Sequence, residues 1–357
     1  MHRPSQPSFV RAGFALALLC LATIWPGDAR AQVAKTLPPL AGDSDSRAAA
    51  INGRGQIAGA SGNFSDGPVT AVLWDRKGKS KALPPLDGHA DSQAFAINGR
   101  GDVAGDSGYF FGFYEPTAVI WEKGKAPRAL LPLEDDAFSS AAAINGKGQV
   151  AGVSIGQVDI GSGVRRTRRR AVMWDESGLP HLLPPLPGDN ESFASDITYG
   201  GDVAGESRLN GLATAVLWNR KGVAKALPPL DGDIESRAAG VNRLGQAVGV
   251  SVSADHNDTA VFWDESGEPR ALLPLDGDVS SSAFSVDPTG EAAGYSVSAD
   301  REPTAVVWDR SGTPIALPTP DDSTVAQAFA INNKGELAGL SRLVDGDDRR
   351  DSGTRWR

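Results

Sequence analysis

Cysteine is almost absent from this 357-residue sequence, and the only one, Cys20, lies in an apolar N-terminal segment. Disulfide bonds therefore cannot stabilise the domain that follows, and no thiol there can act as a nucleophile or metal ligand. Long amphipathic helical patterns are also absent. The chain instead contains 42 glycines and 24 prolines, which is typical of a fold with many tight turns.

Basic residues are too few for a nucleic-acid-binding protein. The chain has 35 Lys and Arg against 44 Asp and Glu, a formal net charge of −9. Removal of residues 1–31 makes the charge about −11, because three basic residues and one acidic residue are lost. Since phosphate neutralisation needs an excess of Lys and Arg, nucleic acid is excluded as a partner.

Residues 1–31 have the pattern of a secretory signal peptide. Arg3 and Arg11 form a basic start, an apolar run spans 12–25, and Ala-Arg-Ala at 29–31 precedes a cleavage site before Gln32. The alternative, a membrane anchor, would need a longer apolar segment. The sequence therefore predicts an exported protein, periplasmic or extracellular, that does not span a membrane after cleavage and has one domain over 32–357.

Seven copies of a unit of about 46 residues fill this domain. An Ile-Asn pair or a variant of it begins at residues 51, 97, 144, 197, 241, 286 and 331. A Trp ends an apolar strand at residues 74, 121, 174, 218, 263 and 308. A Leu-Pro-Pro-Leu segment or a variant begins at residues 37, 83, 130, 183, 227, 272 and 317.

Each unit is predicted to contain four short strands, which in the first copy are 46–52, 56–61, 70–74 and 81–86. The segment from Asn52 to Gly55 has the residues of a type I turn, with Gly55 at positive φ forming a bulge. Asp75 to Gly78 repeats this chemistry in a second hairpin. Two tight turns of one kind are therefore expected in every unit.

Four antiparallel strands repeated seven times predict an all-β fold, a seven-bladed β-propeller of four-stranded antiparallel blades. The alternative is an open solenoid. Prolines in strand four assign that strand to the outer edge of a blade. The domain begins with a lone strand four at 36–40 and ends with a reduced strand three at 354–356. We therefore predict that the N-terminal strand completes the last blade and closes the ring.

The Ile-Asn-x-x-Gly-x-x-x-Gly core at 51–59 and the Ala-x-x-Trp strand at 71–74, with their copies, resemble the HAF-type extracellular repeat family of bacterial secreted proteins. Where that family has a His-Ala-Phe triplet, this sequence has Thr70-Ala71-Val72. The resemblance implies an exported propeller-like protein and no defined activity. Trp-Asp pairs also look like the WD40 signature, but its Gly-His partner occurs only at 88–89, so that family is not assigned.

The variable loops between strands two and three and the acidic connections between strands four and one are predicted to share one face, here called the loop face. The opposite face, with the tight turns, is called the turn face. Clustered Asp residues in the acidic connections suit Ca²⁺ ligation. They also suit hydrogen bonds from Asp and Ser within tight connections. Apart from possible Ca²⁺, no cofactor is expected.

Two loops carry the candidate ligand-binding residues. The aromatic group in the second unit could stack on a sugar, contact a protein or plug the ring; it comprises Tyr109, Phe110, Phe111, Phe113 and Tyr114. The basic group in the third unit could hold a phosphate, sulfate or acidic glycan, or could balance nearby acids; it comprises Arg165, Arg166, Arg168 and Arg169.

No catalytic motif is present, and the three histidines after the leader lie in different units. The sequence therefore favours a monomeric, non-catalytic binding or scaffold module for a glycan, an envelope component or a protein. The alternative is a propeller enzyme that cleaves a polysaccharide with carboxylates of the loop face.

Overall fold

The computed structural model describes residues 33–64, 67–108, 115–159, 164–320, 323–345 and 348–357. These residues form 28 strands, and no helix among them is long and apolar enough to cross a membrane. In chain order the strands are β1 Ala34–Leu37, β2 Asp45–Ile51, β3 Ile57–Gly62, β4 Val69–Trp74, β5 Ser80–Leu83, β6 Asp91–Ile97, β7 Val103–Gly108, β8 Thr117–Trp121, β9 Arg128–Leu130, β10 Asp136–Ile144, β11 Val150–Asp159, β12 Arg165–Trp174, β13 Pro180–Leu183, β14 Glu191–Ile197, β15 Val203–Leu209, β16 Leu212–Trp218, β17 Ala224–Leu227, β18 Glu235–Val241, β19 Ala247–Val252, β20 Asp258–Trp263, β21 Pro269–Leu272, β22 Ser280–Val286, β23 Ala292–Val297, β24 Pro303–Trp308, β25 Pro314–Ala316, β26 Val325–Ile331, β27 Leu337–Asp345 and β28 Asp348–Trp356.

The strands form seven four-stranded antiparallel sheets, which are the blades of a propeller. Blades 1 to 6 each use four consecutive strands, from β2–β5 to β22–β25. Blade 7 combines β26, β27 and β28 with β1. The first strand of each blade contacts the first strand of both neighbouring blades, including β26 with β2. The predicted seven-bladed ring is therefore confirmed.

The ring is closed by pairing of the N-terminal and C-terminal strands. Ala34 of β1 lies opposite Trp356 of β28, and Leu37 lies opposite Gly353. The predicted closure is confirmed, but strand three of blade 7 is a full strand of nine residues rather than a remnant at 354–356.

The outer strand of each blade was correctly placed, but its predicted boundaries were wrong. In blade 1 this strand, β5, lies at the sheet edge and ends at Leu83. The two prolines at 84–85 follow the strand instead of lying within it. Proline has no N–H to donate, so these residues end the ladder.

The glycines of the repeated motif answer two separate steric demands. Gly55 has φ of +72°, and its N–H donates to the carbonyl of Asn52 at 2.9 Å, which is the predicted turn. Gly59 lies where β2 bulges between Ala48 and Ala50. A Cβ at Gly59 would lie 2.0 Å from the carbonyl oxygen of Arg47, so only glycine fits this position.

The asparagine of the motif links neighbouring blades. Oδ1 of Asn52 accepts hydrogen bonds from two N–H groups of its own turn, and Nδ2 donates to the carbonyl of Asn98 in blade 2 at 3.0 Å. The same donation to the next blade is made by Asn98, Asn145, Asn242 and Asn332. Five of the seven described blade junctions therefore share one buried amide contact.

Blades 4 and 6 lack this asparagine. In these blades a polar side chain two residues earlier makes the hydrogen bond to the next blade. They have Thr198 and Asp287 at the asparagine position. In blade 4 the carboxylate of Asp196 accepts the N–H of Val241 at 2.8 Å. In blade 6, Ser285 accepts the N–H of Ile331 at 3.3 Å in the same way. The other five blades have Ala or Gly at this earlier position.

A second ring of hydrogen bonds explains why the Trp and the Leu-Pro-Pro-Leu segment recur together. Each buried Trp donates its indole N–H to a main-chain carbonyl one or two residues after strand four of the preceding blade, at 2.7–2.8 Å. The seven pairs are Trp74–Pro38, Trp121–Pro84, Trp174–Leu131, Trp218–Pro184, Trp263–Pro228, Trp308–Leu273 and Trp356–Pro318. The apolar core accordingly lies between blades, as where Leu130 of blade 2 packs with Trp174 of blade 3.

The interblade contact of the motif can be tested with two asparagines that cap similar turns. Asn145→Ala removes the cap and the bond to blade 4, and should lower the free energy of unfolding by about 2–3 kcal/mol. Asn219→Ala removes only a local cap and should cost about 1 kcal/mol. Denaturant unfolding measures both, and equal losses would contradict the interblade role.

Asp196 makes stability depend on pH. Burial raises its pKa to about 6, against the opposing N–H groups of Val241 and Ile197. Because the folded pKa exceeds the ordinary 3.8, this group contributes stability below about pH 4 that is lost as pH rises through 6. Asp196→Asn should therefore add about 2 kcal/mol at pH 7.5 and almost nothing at pH 4. The control is Ser285→Ala, at the same position in blade 6, which should change the free energy of unfolding by the same amount at both pH values. An equal change at pH 4 and pH 7.5 for Asp196→Asn would contradict a raised pKa of Asp196.

Candidate functional site

The variable loops and the acidic connections meet on the loop face, as the sequence predicts. In blade 1 the backbone N–H and hydroxyl of Ser44, in the connection, donate to Asn63 Oδ1, in the variable loop, at 3.1 and 2.8 Å. In blade 3, Asp136, where the connection enters β10, contacts Arg168 of β12 across the sheet. The two kinds of segment therefore form a continuous surface.

Eight acids in or next to the connections accept hydrogen bonds from other parts of the ring. One set accepts the hydroxyl of a serine on strand two at 2.5–2.6 Å; it comprises Asp43, Asp136, Asp189, Asp233 and Asp278. Another set accepts a backbone N–H from the preceding blade; it comprises Asp45, Asp91 and Glu235. In the described part of the chain no three acidic, His or Cys side chains are grouped to hold a metal ion. Calcium binding stays a prediction.

Blade 3 has a hairpin longer than strand pairs elsewhere in the ring. Strands β11 and β12 have ten residues each, β27 and β28 of blade 7 have nine each, and strand two of blades 1, 2, 5 and 6 has six. The pairing continues to Asp159 opposite Arg165. The arginines at 165–170 therefore lie in a strand, not in a loop as the sequence suggested, because the ladder extends beyond the blade.

Buried Asp136 anchors the base of this hairpin. Arg168 and Arg170 contact its two carboxylate oxygens at 2.8 and 2.9 Å, and Ser154 donates at 2.6 Å. Burial alone would raise the pKa of Asp136, but the hydrogen bonds from Ser154, Arg168 and Arg170 outweigh it and hold the pKa below its usual value. Arg168 is thus a structural residue in this arrangement.

The remaining arginines differ in what they contact. Arg169 lies 3.6 Å from Glu191 of blade 4, which is a loose ion pair. Arg165 and Arg166 are exposed near the tip, and no described residue forms a hydrogen bond or ion pair with either guanidinium. Val158 and Val164 are also exposed there. The tip therefore presents two available cations beside apolar surface.

The aromatic group comprising Tyr109, Phe110, Phe111, Phe113 and Tyr114 lies outside the described residues. The flanks of its loop are fixed against blade 3. Asp106 of β7 accepts hydrogen bonds from Ser140 at 2.6 Å and from the N–H of Ala141 at 2.9 Å. The carbonyl of Pro116 accepts the N–H of Ser139 at 3.1 Å. The loop thus leaves and rejoins the ring beside blade 3, which carries the long hairpin.

A second charged cluster, missed from the sequence, joins blades 4 and 5. Glu206 forms an ion pair with Arg208, and its other oxygen lies 3.6 Å from Nε of Arg237. Arg237 also donates to Glu235 at 2.8 Å. The guanidinium of Arg208 lies 4.6 Å from the ring centre of Phe193. Alignment of the seven units gives one sequence signal for this cluster. The position of Glu206 is occupied by Ala, Val, Tyr or Leu in five of the other six copies.

This cluster contains carboxyl groups of altered acidity. Burial raises the pKa of Glu206, although Arg208 and Arg237 oppose the rise. Burial also raises the pKa of Asp258, with Arg237 opposing and Glu235 adding to it. Oε2 of Glu206 is buried without a hydrogen-bond donor among the described residues.

Solved structures with a similar fold belong to proteins of several activities. A streptogramin B lyase is 11% identical with a TM-score of 0.57, over 91% of this chain and 97% of that one. Virginiamycin B lyase from Staphylococcus aureus is 10% identical with a TM-score of 0.55, over 91% and 99%. A puromycin-hydrolyzing peptidase of Mycobacterium tuberculosis is 14% identical with a TM-score of 0.58, over 90% of this chain and 55% of that one. At these identities the likeness shows the fold alone.

No protein-family model and no curated protein matches the chain. Membership of the HAF-type repeat family therefore stays a prediction.

Proposed function

We propose that the protein is an exported, non-catalytic binding module that holds an acidic glycan on the loop face of blades 2 and 3. Exposed Arg165 and Arg166 carry this proposal, since both lack a described acceptor in a chain of net charge −9. Guanidinium groups bind carboxylate and sulfate groups through paired hydrogen bonds. Asp136 anchors the base of the hairpin that presents them.

The neighbouring aromatic loop supplies the second half of the proposed site. Sugar rings have apolar faces that stack on Tyr and Phe side chains. The sequence places five such residues at 109–114, and the loop flanks contact blade 3. Cationic and aromatic groups together suit a sugar that carries an acidic group. Export through the leader at 1–31, to the periplasm or the cell exterior, is part of this proposal.

The leading test is binding to an array of acidic and neutral polysaccharides. Arg165→Gln combined with Arg166→Gln should weaken binding to an acidic glycan by about tenfold or more, because charge-assisted hydrogen bonds are lost. The matched control combines Arg220→Gln and Arg243→Gln, which makes the same charge change at the turn face. Unchanged affinity in the first variant, or an equal loss in the control, would refute the proposed site.

A second candidate function is hydrolysis of a polysaccharide at the cluster of blades 4 and 5. The observation in its favour is the raised pKa of Glu206 close to ionisable Glu235 and Asp258, a combination found in acid–base pairs. Against it, Glu206 is only 8% exposed and is paired with Arg208. Of the described histidines, His181 bonds Asp175 in blade 3, and His256, in the β19–β20 loop of blade 5, forms no described hydrogen bond or ion pair with Glu206, Glu235 or Asp258. We therefore prefer binding.

The two functions are separated by a reducing-end assay on the polysaccharides that bind. The binding proposal expects no products above the background of the Glu206→Gln variant. Product release by the unaltered protein that falls at least about 100-fold in Glu206→Gln, at an unchanged melting temperature, would establish the enzyme instead. Asp278→Asn, which changes a loop-face acid of blade 6 with only a serine contact, is the control.

A further inference from the structure

The closure of the ring leaves a cleft of about 560 Å³ on the turn face, between blades 7 and 1. In blades 1 to 6 a tight turn connects strands three and four at this level. Blade 7 has no such turn, because its strand four is β1 from the other end of the chain. The cleft thus results from how the ring is closed.

The lining of the cleft is strongly basic. Its eight residues are Val33, Lys35, Leu37, Arg76, Lys77, Gly78, Arg355 and Arg357. Two acids lie close to these five cations: Glu336 is 2.8 Å from Arg355 and 3.3 Å from Arg357, and Asp75 interacts with Lys77. This concentration of positive charge is unusual for a chain with net charge −9.

Arg355 occupies a position that is apolar in every other blade. The residue before the strand-three Trp is Leu73, Ile120, Met173, Leu217, Phe262 or Val307 elsewhere. The side chain of Arg355 is only 4% exposed, and its Nε has no hydrogen-bond partner among the described residues. Burial lowers the pKa of Arg355, Glu336 opposes this effect, and the like charges of Arg357 and Arg76 add to it. An additional negative charge would offset this repulsion.

Lys35 is also placed for a ligand. At the equivalent position of strand four, Arg128, Lys225 and Arg270 donate to a turn carbonyl of the next blade. In blade 1 a turn carbonyl, that of Arg76, instead accepts hydrogen bonds from Arg355 and Arg357 at 3.0 and 2.9 Å. No described residue forms a hydrogen bond or ion pair with the ammonium group of exposed Lys35.

We propose that this cleft is a second binding site, specific for a doubly charged oxyanion of the phosphate or sulfate type. Lys35 and Lys77 contribute flexible ammonium groups, and Arg355 and Arg357 contribute guanidinium groups held by Glu336. Such groups bind tetrahedral oxyanions through charge-assisted hydrogen bonds. The site is on the face opposite the proposed glycan site, so each can fail without the other.

Isothermal titration of the protein with inorganic phosphate and with glucose 6-phosphate, at pH 7.5 and fixed ionic strength, tests the proposal. Saturable binding of phosphate is expected. Tighter binding of glucose 6-phosphate than of phosphate would indicate that the natural ligand carries its phosphate group on a larger molecule. Equal or weaker binding of glucose 6-phosphate would indicate that the natural ligand is the free anion. Lys35→Gln combined with Lys77→Gln should weaken binding about tenfold or more. The control combines Lys81→Gln and Lys221→Gln, which are at the positions of Lys35 and Lys77 in other blades. This control should leave the affinity for phosphate unchanged. No saturable binding of either probe, or equal losses in both double variants, would overturn the site.

A further variant tests the buried arginine directly. Arg355→Leu with Glu336→Gln reproduces the residues of blade 1, Leu73 and Gln56, so no buried charge is left unpaired. This variant should lose phosphate binding and keep affinity for the acidic glycan. If the folded variant binds phosphate with the original affinity, Arg355 has no role in binding. If the variant does not fold, the lysine variants still test the site.

Discussion

Each blade of this propeller depends on its neighbour for one hydrogen bond, from a buried Trp indole N–H to a carbonyl after strand four. A buried indole without an acceptor would lose free energy, and the carbonyl is available because the ladder has just ended. Donor and acceptor always belong to different blades. Pro38, after β1, accepts from Trp74, so the N-terminal strand serves blade 1 as well as blade 7. Only the closed ring satisfies all seven pairs.

Contacts between blades restrict the sequence of the turn face more than that of the loop face. On the turn face, the turn between strands one and two carries the amide that links five of the seven blades to the next, so its sequence is restricted in those units. On the loop face, the connections are restricted where they bond strand-two serines, but the loops between strands two and three are not. The ring therefore tolerates an extended hairpin in blade 3 and a longer loop in blade 2 without loss of its interblade contacts.

Most of the fold could be predicted from the sequence because one spacing repeats seven times and the turn residues repeat with it. Strand ends were less predictable: the prolines after Leu83 were assigned to the strand, and the arginines at 165–170 to a loop. The cluster around Glu206 was not predicted because its members come from blades 4 and 5, and sequence does not reveal which side chains converge. The basic cleft was missed for a similar reason, since it forms only where the two ends of the chain pair.

Departures from the repeat are of two physical kinds. At Thr198 and Asp287 the lost amide is replaced by Asp196 and Ser285, so the backbone contact between blades is kept. At Arg355 the departure puts a buried charge where other blades have an apolar side chain, and Nε is left without a partner among the described residues. Buried polar groups are nearly always paired, and the oxyanion proposed for the cleft would supply the missing acceptor at Arg355. This distinction, rather than sequence variability alone, selects positions in a repeat protein where function is to be sought.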